Sequence, residues 1–297
     1  MPTKESIAER LMQLQDSICA ALENEDGKGK FVEEKWEREG GGGGRTRVLQ
    51  HGNVIEKGGV NFSAVHGKLP ENIRHALKVS DADFFATGVS IVIHPNSPMV
   101  PIIHMNVRYF ELSNGEYWFG GGIDLTPHYV VAEDAKWFHE QLKNTCDKFD
   151  ASYYPKFKKW ADDYFFIPHR NETRGIGGIF FDRLNAEGKE NKQQLLDFLI
   201  AVGETFAPVY THFMHTKRAL AFGEGQKKWQ MIRRGRYVEF NLVYDKGTKF
   251  GLDTNGRTES ILMSLPENAG WFYNHVPEIG SPEDTTLGFL KKGIDWV

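Results

Sequence analysis

Residues 88–110 read GVSIVIHPNSPMVPIIHMNVRYF, with apolar residues at both ends and prolines between them. The two ends of this stretch carry apolar and β-branched residues, which predict strands over 88–94 and 104–112. The prolines between these ends cannot donate to a central ladder, so they predict the connection between the strands. The stretch therefore predicts two neighbouring strands of one sheet.

The second of these strands has two chemically different faces. Because side chains alternate along a strand, His104, Asn106 and Arg108 share one face, and the residues between them are apolar. A half-solvated strand also alternates polar and apolar residues, so the pattern alone leaves a plain surface open. A histidine, an amide and an arginine together are a richer set than solvation needs, and they favour a functional face.

The rest of the chain intersperses predicted helices among predicted strands. Helices are predicted over 4–24, 132–149, 153–165 and 192–217, strands over 116–120, 176–184, 236–244 and 260–265, and a hairpin over 48–62. No regular βα alternation is present, so we expect an α+β fold around a large, mainly antiparallel sheet. With no repeat and no linker, residues 1–297 are expected to form one domain.

Composition and charge exclude several classes of protein. The formal net charge of -4 provides no positive field for nucleic acid. The two cysteines, Cys19 and Cys146, are far apart, so neither a disulfide framework nor a cysteine zinc site is expected. No apolar run approaches the roughly 20 residues of a membrane span, and the N-terminal residues lack an apolar signal core. We therefore expect a cytoplasmic protein without a membrane span.

The glycine-rich segments complete no phosphate-binding motif. After the run 40–44, Arg45 and Thr46 stand where a phosphate loop needs glycine and lysine. The triple glycine at 120–122 instead precedes Asp124, and missing side chains there would let a flat ligand or another backbone approach closely. Asp124 is therefore a candidate functional carboxylate, with a turn or helix-cap role as the alternative.

Several longer motifs occur in a fixed order, at 40–49, 59–67, 88–110, 119–127, 169–172, 174–182 and 257–264. From about residue 31 to the C-terminus, these motifs resemble the oxygen-dependent coproporphyrinogen oxidases. The resemblance implies an antiparallel sheet flanked by helices on both faces, and a homodimer with a dimerisation region at about 234–269. Apolar residues over 237–265 are more numerous than a solvated edge needs, which agrees with a dimer contact.

The activity implied by the resemblance is oxidative decarboxylation of two propionates of coproporphyrinogen III to vinyl groups. The product would be protoporphyrinogen IX, in haem biosynthesis. Dioxygen would be the co-substrate, and no cofactor would be required. A divalent metal is the alternative, since His94, His104, His139 and His169 match histidines that are assigned to a metal in bacterial relatives.

The resemblance also implies site residues. His104 would be the proton donor, and Asp124 the carboxylate that meets the pyrrole nitrogens. Substrate contacts would come from Ser90, Asn106, Val107, Arg108, Asn255, Gly256 and Arg257. Asn255 stands where many relatives are expected to carry glycine, which leaves the backbone shape open although asparagine tolerates positive φ.

A substrate with four propionates needs arginines, whose planar forks bind carboxylates in bidentate fashion. Arg108 and Arg257 are the first candidates, followed by Arg45, Arg47 and Arg174. Two other functions stay open: a tetrapyrrole carrier without catalysis, and a hydrolase that uses a histidine-bound metal.

Overall fold

The computed structural model describes residues 1–69, 74, 82–185, 191–253 and 256–297, so Asn255 lies outside the described residues. The strands are β1 Val32–Glu37, β2 Gly42–Gln50, β3 Ile55–Lys68, β4 Asp83–Pro95, β5 Ile102–Leu112, β6 Tyr117–Thr126, β7 Phe166–Ile167, β8 Glu172–Thr173 and β9 Gly178–Leu184. The helices are α1 Lys4–Asp26, α2 Ala132–Asp147, α3 Tyr153–Tyr164, α4 Lys192–Lys217, α5 Glu224–Val243, α6 Lys246–Asp253, α7 Thr258–Leu262 and α8 Pro282–Phe289.

One large antiparallel sheet organises the molecule. Its strand order is β1-β2-β3-β4-β5-β6-β9, and each neighbouring pair is antiparallel. Strands β7 and β8 form a separate small hairpin. The expected α+β fold with a large antiparallel sheet is confirmed. No helix among the described residues is long and apolar enough to cross a membrane.

The main hydrophobic core lies on one face of this sheet, beneath α1 and α4. Helix α1 buries Ile7, Leu11, Leu14, Ile18 and Leu22, the residues whose spacing predicts it. Thr3 caps its first turn, and Gly27 ends it with a φ of 77°. Opposite this helix layer, β5 contributes Met105, Val107 and Tyr109 to the same core. The other face of β5 therefore stays free for polar residues, as the alternation predicts.

Two segments that the sequence predicts as strands are helical. Residues 236–243 lie in α5, and residues 260–262 lie in α7 with a turn after them. Burial in α5 follows a helical step, from Arg233 to Tyr237 and from there to Phe240 and Asn241. A short apolar run does not distinguish a buried strand from a buried helix, so these two strand predictions were wrong.

The hairpin prediction over 48–62 is confirmed in its position but not in all its turns. Strands β2 and β3 pair from Gln50 with Lys57, and His51 at the turn has a φ of 57°. The second turn signal, Gly58 with Gly59, lies inside β3 instead. Glycine serves close packing there, since a Cβ on Gly59 would collide with the sulfur of Met263.

Candidate active site

The face of the sheet opposite the core carries the polar side chains of β5, and we call it the polar face. Residues that pair directly in antiparallel strands project to the same side. The middle row across the sheet consists of Thr46, Asn61, Ser90, Asn106 and Gly122. The rows beside it are Gly44, Ser63, Gly88, Arg108 and Gly120, and Val48, Gly59, Val92, His104 and Asp124. The glycines in these rows make room for neighbouring protein atoms, as Gly59 does for Met263 and Gly120 does for Asp182 and Arg108.

Arg108 lies flat across this face. Its Nη1 donates to Oδ1 of Asn106 at 2.7 Å, and its Nη2 donates to Oδ1 of Asp182 at 2.8 Å. A Cβ on Gly120 would lie 2.6 Å from that Asp182 oxygen and 3.0 Å from Nε and Nη2 of Arg108. The first of the three glycines therefore leaves the space through which the arginine crosses β6. The Arg108 side chain is still 36% exposed.

His104, Asp124 and Arg174 form a hydrogen-bonded chain beside Arg108. Nδ1 of His104 lies 2.8 Å from Oδ1 of Asp124. Arg174 donates to both carboxylate oxygens, from Nη2 to Oδ1 at 2.8 Å and from Nε to Oδ2 at 3.1 Å. Burial alone would raise the pKa of Asp124, but the charge of Arg174 and the hydrogen bond from His104 lower it. Asp124 is therefore an anion, paired at the edge of the polar face.

Asp245 is a second carboxylate near this hydrogen-bonded group of residues, and the sequence did not predict it. Asp245 follows α5 and accepts hydrogen bonds from the Thr248 backbone and hydroxyl, at 2.7 and 2.8 Å, and from the Tyr164 hydroxyl at 2.8 Å. Burial alone would raise the pKa of Asp245, but the Thr248 bonds and the charge of His104 lower it. No motif marks this residue, and the apolar run before it predicts a strand where the structure has the helix α5.

Helix α7 covers the β1–β3 side of the polar face. Its Ser260 joins Thr46 through their hydroxyls at 2.7 Å, and Nδ2 of Asn61 donates to the Ser260 carbonyl at 2.7 Å. Just before this helix, Arg257 pairs through Nη2 with Glu34 of β1 at 2.5 Å. Nη1 of Arg257 is buried and has no hydrogen-bond partner in the part of the chain that the structure describes.

The remaining candidate site residues lie on two different faces of the sheet. Ser90 lies half-buried in the middle row of the polar face, beside Asn106. Val107 lies on the opposite face with its side chain in the core, so its side chain is not a substrate contact.

Arg45 and Arg47 also lie on that opposite face, where both pair with Asp16 of α1. This placement does not favour them as propionate ligands, and their spacing alone did not assign them a face.

The four histidines matched to metal ligands are not brought together. His94 contacts the Ser264 carbonyl at 2.9 Å, and His139 contacts the Tyr154 hydroxyl and the Ile176 carbonyl at 3.0 Å each. His169 lies between Tyr244 and Glu239, and His104 contacts Asp124. Among the described residues, no group of three or more histidine, cysteine or carboxylate side chains is arranged to hold a metal. This geometry does not support a shared four-histidine site.

Known proteins resemble this chain over most of its length. The family model described as coproporphyrinogen III oxidase matches residues 6–296. Coproporphyrinogen-III oxidase 1, chloroplastic, of Arabidopsis thaliana is 50% identical over 298 residues, which cover 95% of this chain and 76% of that protein. Oxygen-dependent coproporphyrinogen-III oxidases, chloroplastic, of Glycine max and Hordeum vulgare are 48% and 50% identical, and each alignment covers 97% of this chain and 78% of the relative. The chain belongs to the coproporphyrinogen III oxidase family.

Proposed function

We propose that this protein catalyses the oxygen-dependent oxidative decarboxylation of two propionates of coproporphyrinogen III, giving protoporphyrinogen IX in haem biosynthesis. The observation that carries this proposal is the polar face, in a chain that matches the family from residue 6 to residue 296. On that face β5 presents an imidazole, an amide and a guanidinium in successive rows, at His104, Asn106 and Arg108. Ser63 and Ser90 lie in the same rows, and the macrocycle is proposed to lie against this part of the sheet.

Arginine side chains on this face account for recognition of the propionates. Arg108 is held in place by Asn106 and Asp182, and its side chain is still 36% exposed. Nη1 of Arg257 is a buried donor without a partner in the described part of the chain. An unpaired buried donor is costly, and a substrate carboxylate that reached it would remove that cost. Because the net charge of the chain is -4, such local cations are needed to attract an anionic substrate.

The chemistry converts each propionate by a balanced two-electron oxidation. The methylene next to the ring gives up one hydrogen with two electrons to dioxygen, which takes up one further proton and becomes hydrogen peroxide. The bond to the carboxylate then breaks, its electron pair forms the vinyl double bond, and carbon dioxide leaves. His104 is placed to move a proton in this sequence, because its ring is 19% exposed on the polar face while Nδ1 is held by Asp124.

The need for dioxygen and the absence of a required cofactor or metal belong to the same proposal. A homodimer is also proposed, through the exposed apolar residues at the end of α5 and in α6. Leu242, Val243 and Leu252 are each at least 40% exposed, whereas Phe240 and Met263 of the predicted contact region are buried within the chain. The expected cytoplasmic location stays a prediction, and the three relatives are named as chloroplastic proteins.

An assay with reduced coproporphyrinogen III tests the activity. The enzyme is mixed with substrate under air and under argon, and protoporphyrin fluorescence is read after chemical oxidation of the product. We expect product under air alone. Binding without product under air would favour the carrier alternative, and turnover under argon that a chelator abolishes would favour the metal hydrolase.

A further inference from the structure

We propose that Asp124 is a positioning residue that acts through His104 and does not touch the substrate, with Arg174 as its permanent counter-ion. This inference rests on the proposed function and deepens it. It departs from the role that the family resemblance implies, in which this carboxylate meets the pyrrole nitrogens.

The first argument is that Asp124 has little left to offer a ligand. Its side chain is 1% exposed, and that of Arg174 is 2% exposed. Oδ1 already accepts from His104 and from Nη2 of Arg174, and Oδ2 accepts from Nε of Arg174. To reach a pyrrole N–H, the carboxylate would have to turn away from Arg174 and leave a buried guanidinium without its counter-ion. Breaking one side of a buried pair is strongly destabilising.

The second argument is that the backbone holds this pair together. Residues 175–178 run against β6, where Ile176 donates its N–H to the Leu125 carbonyl and Leu125 donates to the Gly177 carbonyl. Added Cβ atoms on Gly175 and Gly178 would lie 2.2 and 2.0 Å from the carbonyl oxygens of Leu125 and Ile123. Glycine at these positions lets the segment approach β6 closely, and this approach places Arg174 against Asp124.

The third argument is that Arg174 is fixed independently of any ligand. Its guanidinium carbon lies 4.4, 4.6 and 4.7 Å from the ring centres of Phe165, Tyr237 and Phe240. Its Nη1 also donates to Oδ1 of Asn241 at 2.7 Å. Three aromatic faces and a neutral amide stabilise the cation, so it has no need of a substrate carboxylate. Arg174 is therefore not a propionate ligand, although the sequence made it a candidate.

The consequence for His104 is a fixed tautomer and ring orientation. An ionised carboxylate only accepts hydrogen bonds, so Nδ1 of His104 must carry a proton. Nε2 is then the ring nitrogen left for proton transfer, and Phe165 contacts the ring edge at a centroid distance of 6.0 Å. Because Arg174 neutralises Asp124, the carboxylate orients the imidazole as part of a pair without net charge.

The experiment measures the tautomer of His104 by NMR and the values of kcat and KM by steady-state kinetics. Protein carrying ¹⁵N-histidine is studied by NMR, the His104 signals are assigned from their loss in His104→Gln, and coproporphyrinogen III is added under argon. We expect an Nδ1–H tautomer whose bond to Asp124 persists when substrate binds. In Asp124→Asn we expect the tautomer preference to be lost, kcat to fall on the order of 10²-fold or more, and KM to stay within about twofold.

Other results would overturn the proposal. A carboxylate that binds pyrrole nitrogens directly predicts that substrate breaks the His104–Asp124 bond, or that Asp124→Asn raises KM and leaves the tautomer unchanged. Asp26→Asn is the control, since Asp26 is a buried carboxylate bonded to backbone N–H groups of residues 29 and 53–55. It should change stability alone. If the wild-type enzyme bound substrate without turnover, the proposed reaction would fail, while the NMR measurements would still decide the role of Asp124.

Discussion

Arg108 of β5 donates to Asp182 of β9 at 2.8 Å and so joins two strands that are not neighbours in the sheet. The strand between them, β6, contributes Gly120 at the crossing point. Asn106 holds the second arm of the fork, so the guanidinium is placed on the polar face before any substrate is bound. A cation fixed in this way loses little side-chain entropy when it receives a propionate, and this preorganisation favours binding.

Arg108→Lys is therefore expected to weaken substrate binding. Lysine keeps the charge but has a single donor group, which does not span Asn106, Asp182 and a carboxylate in the geometry of the fork. Loss of a charge-assisted hydrogen bond costs about 1.5–3 kcal/mol, so KM should rise roughly 10- to 100-fold. Steady-state kinetics measure this change. Arg45→Lys, on the opposite face of the sheet, should leave KM unchanged, and an unchanged KM in Arg108→Lys would remove Arg108 from the propionate site.

Gly120→Ala is expected to impair binding through the same pair of residues. The new Cβ would lie 2.6 Å from the Asp182 oxygen and 3.0 Å from the guanidinium, so one of the two side chains must move. KM should rise while the melting temperature changes little, since Arg108 and Asp182 are each about one-third exposed. Gly225→Ala is the control, because a Cβ there would have no described atom within 4 Å beyond its chain neighbours and its own helix backbone. It should slightly stabilise α5 and leave KM alone. A normal KM in Gly120→Ala would show that the crossing geometry does not matter.

Helices and strand faces that depend on local spacing could be predicted from the sequence. Pairs of residues that meet only through tertiary contacts could not. Alternation in β5 identified the face shared by His104, Asn106 and Arg108, and helical spacing identified α1. The same spacing did not reveal that Asp124 and Arg174, fifty residues apart, form a buried pair. Nor did it show that Arg45 lies on the face with the core, since a pattern of period two defines two faces without saying which one a helix covers.

Glu239 should make protein stability depend on pH. It accepts hydrogen bonds from His169 and Arg170 and from the indole of Trp271. Burial alone would raise the pKa of Glu239, but these bonds lower it from 4.5 to about 2. A group with a lowered folded pKa stabilises the protein above its unfolded pKa, and this contribution is lost as the pH falls from about 4.5 towards 2.

Glu239→Gln is accordingly expected to lower the free energy of unfolding by about 2 kcal/mol at pH 7, and by less near pH 3. Urea unfolding at pH 7, 5 and 3 measures both differences. Glu140→Gln is the control, because Glu140 is 44% exposed and its ion pair with Lys136 is long, at 3.9 Å. A destabilisation by Glu239→Gln that is equal at all three pH values would contradict the expectation.

The double variant Leu242→Glu with Val243→Glu is expected to produce monomers. Both side chains are about 45% exposed at the end of α5, and two charges placed in an apolar contact between copies would be desolvated without partners. Sedimentation at micromolar concentration measures the mass. Leu220→Glu is the matched control, because Leu220 is 47% exposed between α4 and α5, outside the proposed contact. A double variant that stays dimeric would place the contact elsewhere. A monomeric wild-type protein would contradict the proposed homodimer.

Turnover is expected to require dioxygen and to survive removal of metals. This expectation rests on what the matched histidines already contact, because His139 uses both ring nitrogens within the protein and His94 uses Nε2. Burial also lowers the pKa of His94 to about 3 and that of His139 to about 4, so both are neutral packing residues at pH 7.

After dialysis against a strong chelator, the rate under air should be intact. His169→Gln should likewise leave kcat unchanged, since His169 contacts Tyr244 and Glu239. A large loss on dialysis that one particular metal restores, together with a loss in His169→Gln, would favour a metal bound by these histidines.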